Sequence, residues 1–206
     1  MATTSQTFII HGINSWVVPD GVSSIQVECW APGGSSNKHM SAGGGGAYAK
    51  TNNIPVISGD TYQVYVGQTL PTGYAQDSYS VDNLCRAVGG QCSYADPFPP
   101  GGSIPGLGGN SLNCVGDVKV SGGKGGWTGS FASSGTAGGG GGCAGNDGQN
   151  GGDGGAGGAG SYGGGTGGNG YAAHNNGGFP GGGASGTLEK EIVSGGQGQI
   201  IITWTI

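Results

Sequence analysis

Three histidines, His11, His39 and His174, are the first side chains to examine for proton transfer or metal binding. They lie far apart in the chain, and no partner motif surrounds any of them. His11 is expected as a structural residue in a strand, and His39 and His174 as loop residues. No G-x-S-x-G elbow, H-E-x-x-H pair or P-loop lysine occurs. G-x-G-x-x-G strings abound, but among 54 glycines they carry no information. The acidic residues stand singly, so no carboxylate pair for glycoside cleavage can be assembled from the sequence. Neither enzymatic activity nor a cofactor is expected.

Metal and redox chemistry fare no better. Cysteines stand at 29, 85, 92, 114 and 143, an odd count with no zinc spacing. Cys85 and Cys92 are close enough in sequence to close a small disulfide loop. The alternative is five small, mostly buried thiols in a chain assembled in a reducing cytosol. The stretch GNDGQNGGDGG (145–155) resembles part of a glycine-aspartate calcium repeat. It lacks the large apolar residue of each coil, and its spacing is three rather than nine. Asp147 and Asp153 are therefore read as solvated, and no metal is expected.

Recognition is the remaining chemistry. Tyr74, Tyr79, Tyr94, Phe98, Trp127, Phe131, Tyr162, Tyr171 and Phe179 punctuate glycine- and proline-rich turns. A loop aromatic offers large, rigid contact area at low entropic cost. Some of these rings are expected to cap open faces of the fold. Tyr94, Phe98 and Tyr171 are the candidate loop-tip contacts. With six Lys and Arg against eleven Asp and Glu, the net charge is −5 and no basic patch exists, which argues against nucleic acid. No apolar run approaches the ~20 residues of a membrane span. The first residues lack the charged and apolar regions of a secretory signal.

The elements that must position these rings are strands. SIQVECW (24–30) alternates Ile25, Val27 and Cys29 with Gln26, Glu28 and Trp30. FIIHGINSWVVP (8–19), AYAKTNNIPV (47–56), TYQVYVG (61–67) and QIIITWTI (199–206) are also β-like. In the last, Ile200, Ile202, Trp204 and Ile206 share one side. No helical periodicity exceeds one turn. The expected fold is mainly β: a small antiparallel β-sandwich from residues 1–67 and 192–206, its first and last strands adjacent. Residues 68–191 form a large glycine-rich insertion, with loops first and a slab over 135–186.

The slab has a period. Glycine occupies 139, 142, 145, 148, 151, 154, 157, 160 and 163 without a miss. Three residues per turn is the repeat of a polyproline-II-type helix, with ~3.1 Å rise per residue. An edge made of Gly139, Gly142, Gly145, Gly148, Gly151, Gly154, Gly157, Gly160 and Gly163 lets another backbone approach to contact. A collagen triple helix would want proline on the other positions, and none lies between 139 and 165. Short glycine helices hydrogen-bonded side by side fit better. An ice-binding surface would want regular Thr or Ala rows, which are missing.

The segments VPDGVSSIQVECWAPGG (18–34), GGGGAYA (43–49), SGDTYQVYVG (58–67) and GGQGQIIITWTI (195–206) together resemble the glycine-rich domains of tailed-bacteriophage surface proteins. The slab looks like the polyglycine-II sandwich of the tail-fibre-tip adhesins of T-even-like phages. The resemblance implies a non-enzymatic virion structural protein, assembled in the host cytoplasm and displayed on the virion surface. Its expected role is a tail-fibre or tail-tip adhesin whose loops bind a bacterial surface receptor, a saccharide or an outer-membrane protein. The alternative is a capsid decoration or head-fibre protein. Other virion proteins are the implied partners, and a homotrimer stays open. Those adhesins place an attachment domain ahead of the slab, whereas here β segments flank it.

Overall fold

The computed structural model describes residues 2–37, 41–95, 103–126, 157–160, 164–168, 175–186 and 192–206. Thirteen strands follow the chain: β1 Thr3–Phe8, β2 Gly12–Val17, β3 Ser24–Trp30, β4 Ser36–Asn37, β5 Tyr48–Pro55, β6 Thr61–Val66 and β7 Ser78–Ser80. Then come β8 Cys85–Ala87, β9 Tyr94–Ala95, β10 Ser103–Ile104, β11 Val118–Val120, β12 Ile192–Val193 and β13 Gln199–Thr205. A five-stranded sheet, β1-β13-β3-β5-β11, faces a four-stranded one, β2-β6-β7-β8, and all pairings are antiparallel. The fold is mainly β, a small antiparallel sandwich; the strand expected first, at 8–19, gives β2, which pairs with β6, and the neighbour of β13 is instead β1, which the sequence reading did not identify. Strands β7, β8 and β11 fall between residues 68 and 191, so the span expected as an insertion adds strands to both sheets.

Period-two alternation builds the core. Ile25, Val27 and Cys29 of β3, and Ile200, Ile202 and Trp204 of β13, face Trp16, Val64 and Val66 of the other sheet, all buried. Trp16 and Trp204 meet across the gap at 5.6 Å. Trp30, expected on the wet side, is buried on the outer face against Tyr48, with Val118, Val120 and Ile201 around them. Ile206, expected inward, lies past the end of β13 and is exposed. The expected strand at 8–19 is broken at residues 9–11, and His11 sits exposed in that turn, not in a strand.

Along the sandwich the side chains shrink. Trp16 and Trp204 fill one end, Cys29, Ala49, Cys85 and Ala87 the middle, and beyond them glycine takes over. The two sheets converge as their filling thins. Cys85 Sγ donates to Val27 O and Ala49 O, both at 3.5 Å, and Cys29 Sγ to Cys85 O at 3.7 Å. Cys85 and Cys92 are both free thiols, so the disulfide alternative is overturned. Their positions explain it: each fills a narrow gap beside a carbonyl, and Cys92 bonds Leu70 O at 3.2 Å.

The strand ladders do not stop where the strands end. The β3–β5 register, Trp30 opposite Tyr48, continues as Ala31 N to Ala47 O at 3.0 Å and Gly34 N to Gly44 O at 2.8 Å. The β13–β3 register continues as Gly33 N to Gly196 O at 2.9 Å. The β11–β5 register continues as Gly45 N to Gly123 O at 2.9 Å and Ala42 N to Gly126 O at 3.2 Å. What changes is the period, from two residues to three.

Segment 41–47 shows this fully. Ala42 and Gly45 donate to Gly126 and Gly123. Gly43 and Gly46 donate to Ala184 and Gly181, at 3.0 and 2.8 Å. Gly44 and Ala47 donate to Gln91 and Val88, both at 3.0 Å. Each neighbour is therefore met by every third residue, as a three-fold helix requires. The carbonyls of Ala42 and Gly45 accept from Gly106 and Gly109, both at 2.9 Å, and those of Gly44 and Ala47 from Gly34 and Ala31. Five backbones surround this segment through hydrogen bonds alone, which is the polyglycine-II arrangement. Glycine is needed for space: a Cβ on Gly46 would lie 1.9 Å from Ala31 O. Its φ is not left-handed, unlike that of Gly59 at +82° in an open turn.

Candidate functional site

The lattice gives its loops a rigid base. Segment 104–109 is tied to 41–47 by the Gly106 and Gly109 amides, and segment 121–126 is tied to it by Gly122 N to Gly109 O and Gly125 N to Gly106 O, both at 2.9 Å. Segment 88–91 joins them through Gln91 N to Leu107 O at 2.8 Å. Where these three meet solvent, a groove of about 670 Å³ opens.

Its floor is backbone, Gly108, Gly109 and Gly122. Here glycine lets two backbones touch, because a Cβ on Gly108 would lie 1.9 Å from Gly122 O. Tyr74, Val88 and Leu107 make the apolar side. Tyr74 is 54 % exposed, and Leu107 is also exposed. Tyr74 is held by an antiparallel bridge to Gln91, which prolongs the β7–β8 ladder.

Polar groups complete the rim. Asp77 Oδ1 accepts from Gly89 N at 3.3 Å, and its Oδ2 lies 3.8 Å from Arg86 Nε. Arg86 Nη2 also donates to Asn113 O at 2.7 Å, which anchors the turn carrying Asn113. That turn is a single 3-10 turn, Ser111–Asn113, capped by Asn110 Oδ1 accepting from Leu112 N at 2.9 Å. Ser121 Oγ accepts from Ser111 N and bonds Ser111 Oγ, both at 3.0 Å. The side-chain amide of Asn113 has no hydrogen-bond partner among the described residues. An aromatic ring, aliphatic groups, a carboxylate, the Lys124 chain and side-chain amides on a fixed backbone can grip a polar molecule. Nothing in the set provides a nucleophile with an adjacent base.

Tyr94, an expected loop-tip contact, lies in β9, opposite Ile104 of β10 and 43 % exposed. It stands at the base of its hairpin. Phe98 and Tyr171 lie outside the described residues, as do Asp147, Asp153, His39 and His174. Of the nine phased glycines, Gly157 and Gly160 are described. A Cβ on Gly157 would lie 2.0 Å from Gly167 O, and one on Gly160 2.1 Å from Gly164 O. Gly139, Gly142, Gly145, Gly148, Gly151, Gly154 and Gly163 fall outside. Sequence reasoning named Tyr74 only among many rings and missed Asp77 and Asn113. The G-G-N-S-L-N run, a cap residue before a short turn, was the available signal.

A second groove, of about 410 Å³, lies on the outer face of the five-stranded sheet, among Ser24, Gln26, Asn52 and Thr203. Trp204 also lines it, but its ring packs on Trp16. The four described thiols, Cys29, Cys85, Cys92 and Cys114, are buried and are not candidates for reaction. Burial pushes the Cys114 thiol up to about 11, and burial also raises Cys92. Cys29 is raised well above the usual thiol range, first by burial and then by its hydrogen bond with Cys85. Among the described residues, no cluster of His, Cys, Asp and Glu could hold a metal, and no helix is long and apolar enough to cross a membrane.

A family model described as a glycine-rich domain matches residues 3–205. No curated protein matches the chain.

Proposed function

We propose that this chain, which belongs to the glycine-rich domain family, is a non-enzymatic surface-binding protein of a tailed bacteriophage. In this reading it is a tail-fibre or tail-tip adhesin on the virion surface. The groove at Tyr74, Asp77 and Asn113, with the neighbouring hairpin that begins at Tyr94, contacts a saccharide or protein loop on the bacterial surface. Binding is reversible and needs no cofactor.

The observation that carries this reading is the pairing of a solvent-open aromatic and amide groove with a floor of locked backbone. A floor that does not move spares the receptor the entropic cost of ordering its site. Loops on a rigid scaffold are a common layout for recognition. The phage assignment rests on the sequence resemblance of the strand and glycine segments.

Binding of fluorescently labelled protein to a panel of bacterial strains tests it. The expected result is saturable binding to some strains, reduced at least tenfold in the pair Tyr74→Ala and Asn113→Ala and altered in strain range by exchange of loop 94–105. Absence of binding to every strain, or equal binding by all variants, would overturn it.

A further inference from the structure

Beyond receptor binding, we propose that the open edge of β2 pairs with the same edge of a second copy of this chain, in an antiparallel, two-fold dimer centred on Ser15.

Among the described residues, β2 pairs only with β6 and forms the edge of its sheet. Val18 N donates to Asp60 O at 2.9 Å and Val18 O accepts from Gly59 N at 3.0 Å, so the groups of the even-numbered residues face β6. By alternation, the N–H and C=O groups of Ile13, Ser15 and Val17 point out of the edge. All three residues are exposed, Ile13 at 69 % and Val17 at 58 %. The opposite edge of this sheet is treated differently. There Arg86 is closed by a bridge to Val115, with bonds of 3.0 and 2.9 Å.

Edge strands that must stay single carry lysine, proline or a bulge. The sequence GINSWV of β2 has none of these. Its pattern is also self-complementary. Antiparallel pairing about Ser15 sets Ile13 against Val17 of the second copy, and Val17 against Ile13, on the same outer face. The three outward residues exchange all their backbone bonds. The same two-fold brings the exposed Ile9 and Ile10 of one copy towards exposed Ile57 of the other, because these lie at opposite ends of β2. Exposed His11 likewise approaches the end that carries Asp20 and Asp60. A heterologous partner would need no such match of an edge to itself.

The arrangement puts the two Ser15 side chains directly opposite each other, where like charges repel and opposite charges attract. Sedimentation equilibrium of the full chain, with the Ser15→Lys and Ser15→Asp variants, is the test. Wild type is expected at twice the 19.8 kDa chain mass. Each variant alone is expected at the single mass and still folded by circular dichroism, since Ser15 is exposed. An equimolar mixture of the two is expected to regain the doubled mass. A monomeric or trimeric wild type, a Ser15→Lys variant that stays paired, or a mixture that stays single would each overturn the proposal.

Discussion

Replacing Gly46 with alanine adds one methyl group at the most crowded point of the lattice. On entropy alone the change should help, because alanine restricts the unfolded chain and is worth ~0.4–1 kcal/mol where the native φ suits it. The φ of Gly46 is not left-handed, so no backbone strain opposes it. The methyl carbon, however, would sit 1.9 Å from Ala31 O, 2.6 Å from Ala31 C and 2.8 Å from Pro32 O. Carbon and oxygen do not approach within about 3 Å without bonding, so segments 31–35 and 41–47 must part by roughly 1 Å. That stretches Ala31 N to Ala47 O from 3.0 Å, and Gly34 N to Gly44 O from 2.8 Å, beyond hydrogen-bond range. All four residues are buried. Each of the two broken hydrogen bonds then costs about 1–3 kcal/mol. After the entropic gain, a net loss of about 2–5 kcal/mol is expected, a large share of the ~5–15 kcal/mol that holds a domain together. For a chain of this size it lowers the melting temperature by about 5–15 °C. Thermal melts followed by circular dichroism measure it. A Gly46→Ala protein melting within about 2 °C of wild type would refute the crowding reasoning.

Gly59→Ala probes the opposite case: nothing lies within 4 Å of its Cβ position but φ is +82°, so a smaller loss of about 1–2 kcal/mol is expected from the left-handed backbone, read by urea unfolding. Tyr74→Ala should leave the melting temperature within about 2 °C, because the ring is half in solvent, while lowering cell binding; an unfolded variant would place the ring in the fold instead. In a Cys143→Ser background, Cys29, Cys85, Cys92 and Cys114 should resist a thiol reagent until the protein unfolds; a fast-reacting thiol in the native state would contradict their burial. The raised Cys114 thiol holds its proton in the folded state while the unfolded chain loses its own from about pH 9. Folded protein thus binds more protons in that window, and stability should fall as pH rises from 9 towards 11, less steeply in Cys114→Ala. Equal slopes by urea melts would remove Cys114 from that dependence.

The sandwich was legible where side chains alternate, as in Ile25, Val27 and Cys29 against Ile200, Ile202 and Trp204. Strand β1 was not, because Thr3 to Thr7 are exposed on both faces and carry no apolar period. Glycine triplets announced three-fold helices, yet the described lattice centres on residues 41–47, a run too short for a period to stand out. Which segments neighbour it is decided by strand registers carried onward from β3, β5, β11 and β13, and no local pattern encodes a register. Ring residues were visible as types, whereas the groove needs Asp77, Leu107 and Asn113 from three separate turns to meet. Tyr94 illustrates the limit: a ring beside prolines suggested a loop tip, and pairing with Ile104 made it a strand residue.

Central to this account is a backbone lattice, continuous with both sheets, that holds the proposed binding face rigid without a side-chain core. Amide hydrogen exchange at Gly43, Gly44, Gly45 and Gly46, read by NMR, tests it most directly. Protection equal to that of Val27 and Ile202 in the sandwich core is expected, because every one of these amides donates to a neighbouring segment at 2.8–3.0 Å. Exchange at these glycines near unfolded-chain rates, with the core still protected, would contradict it.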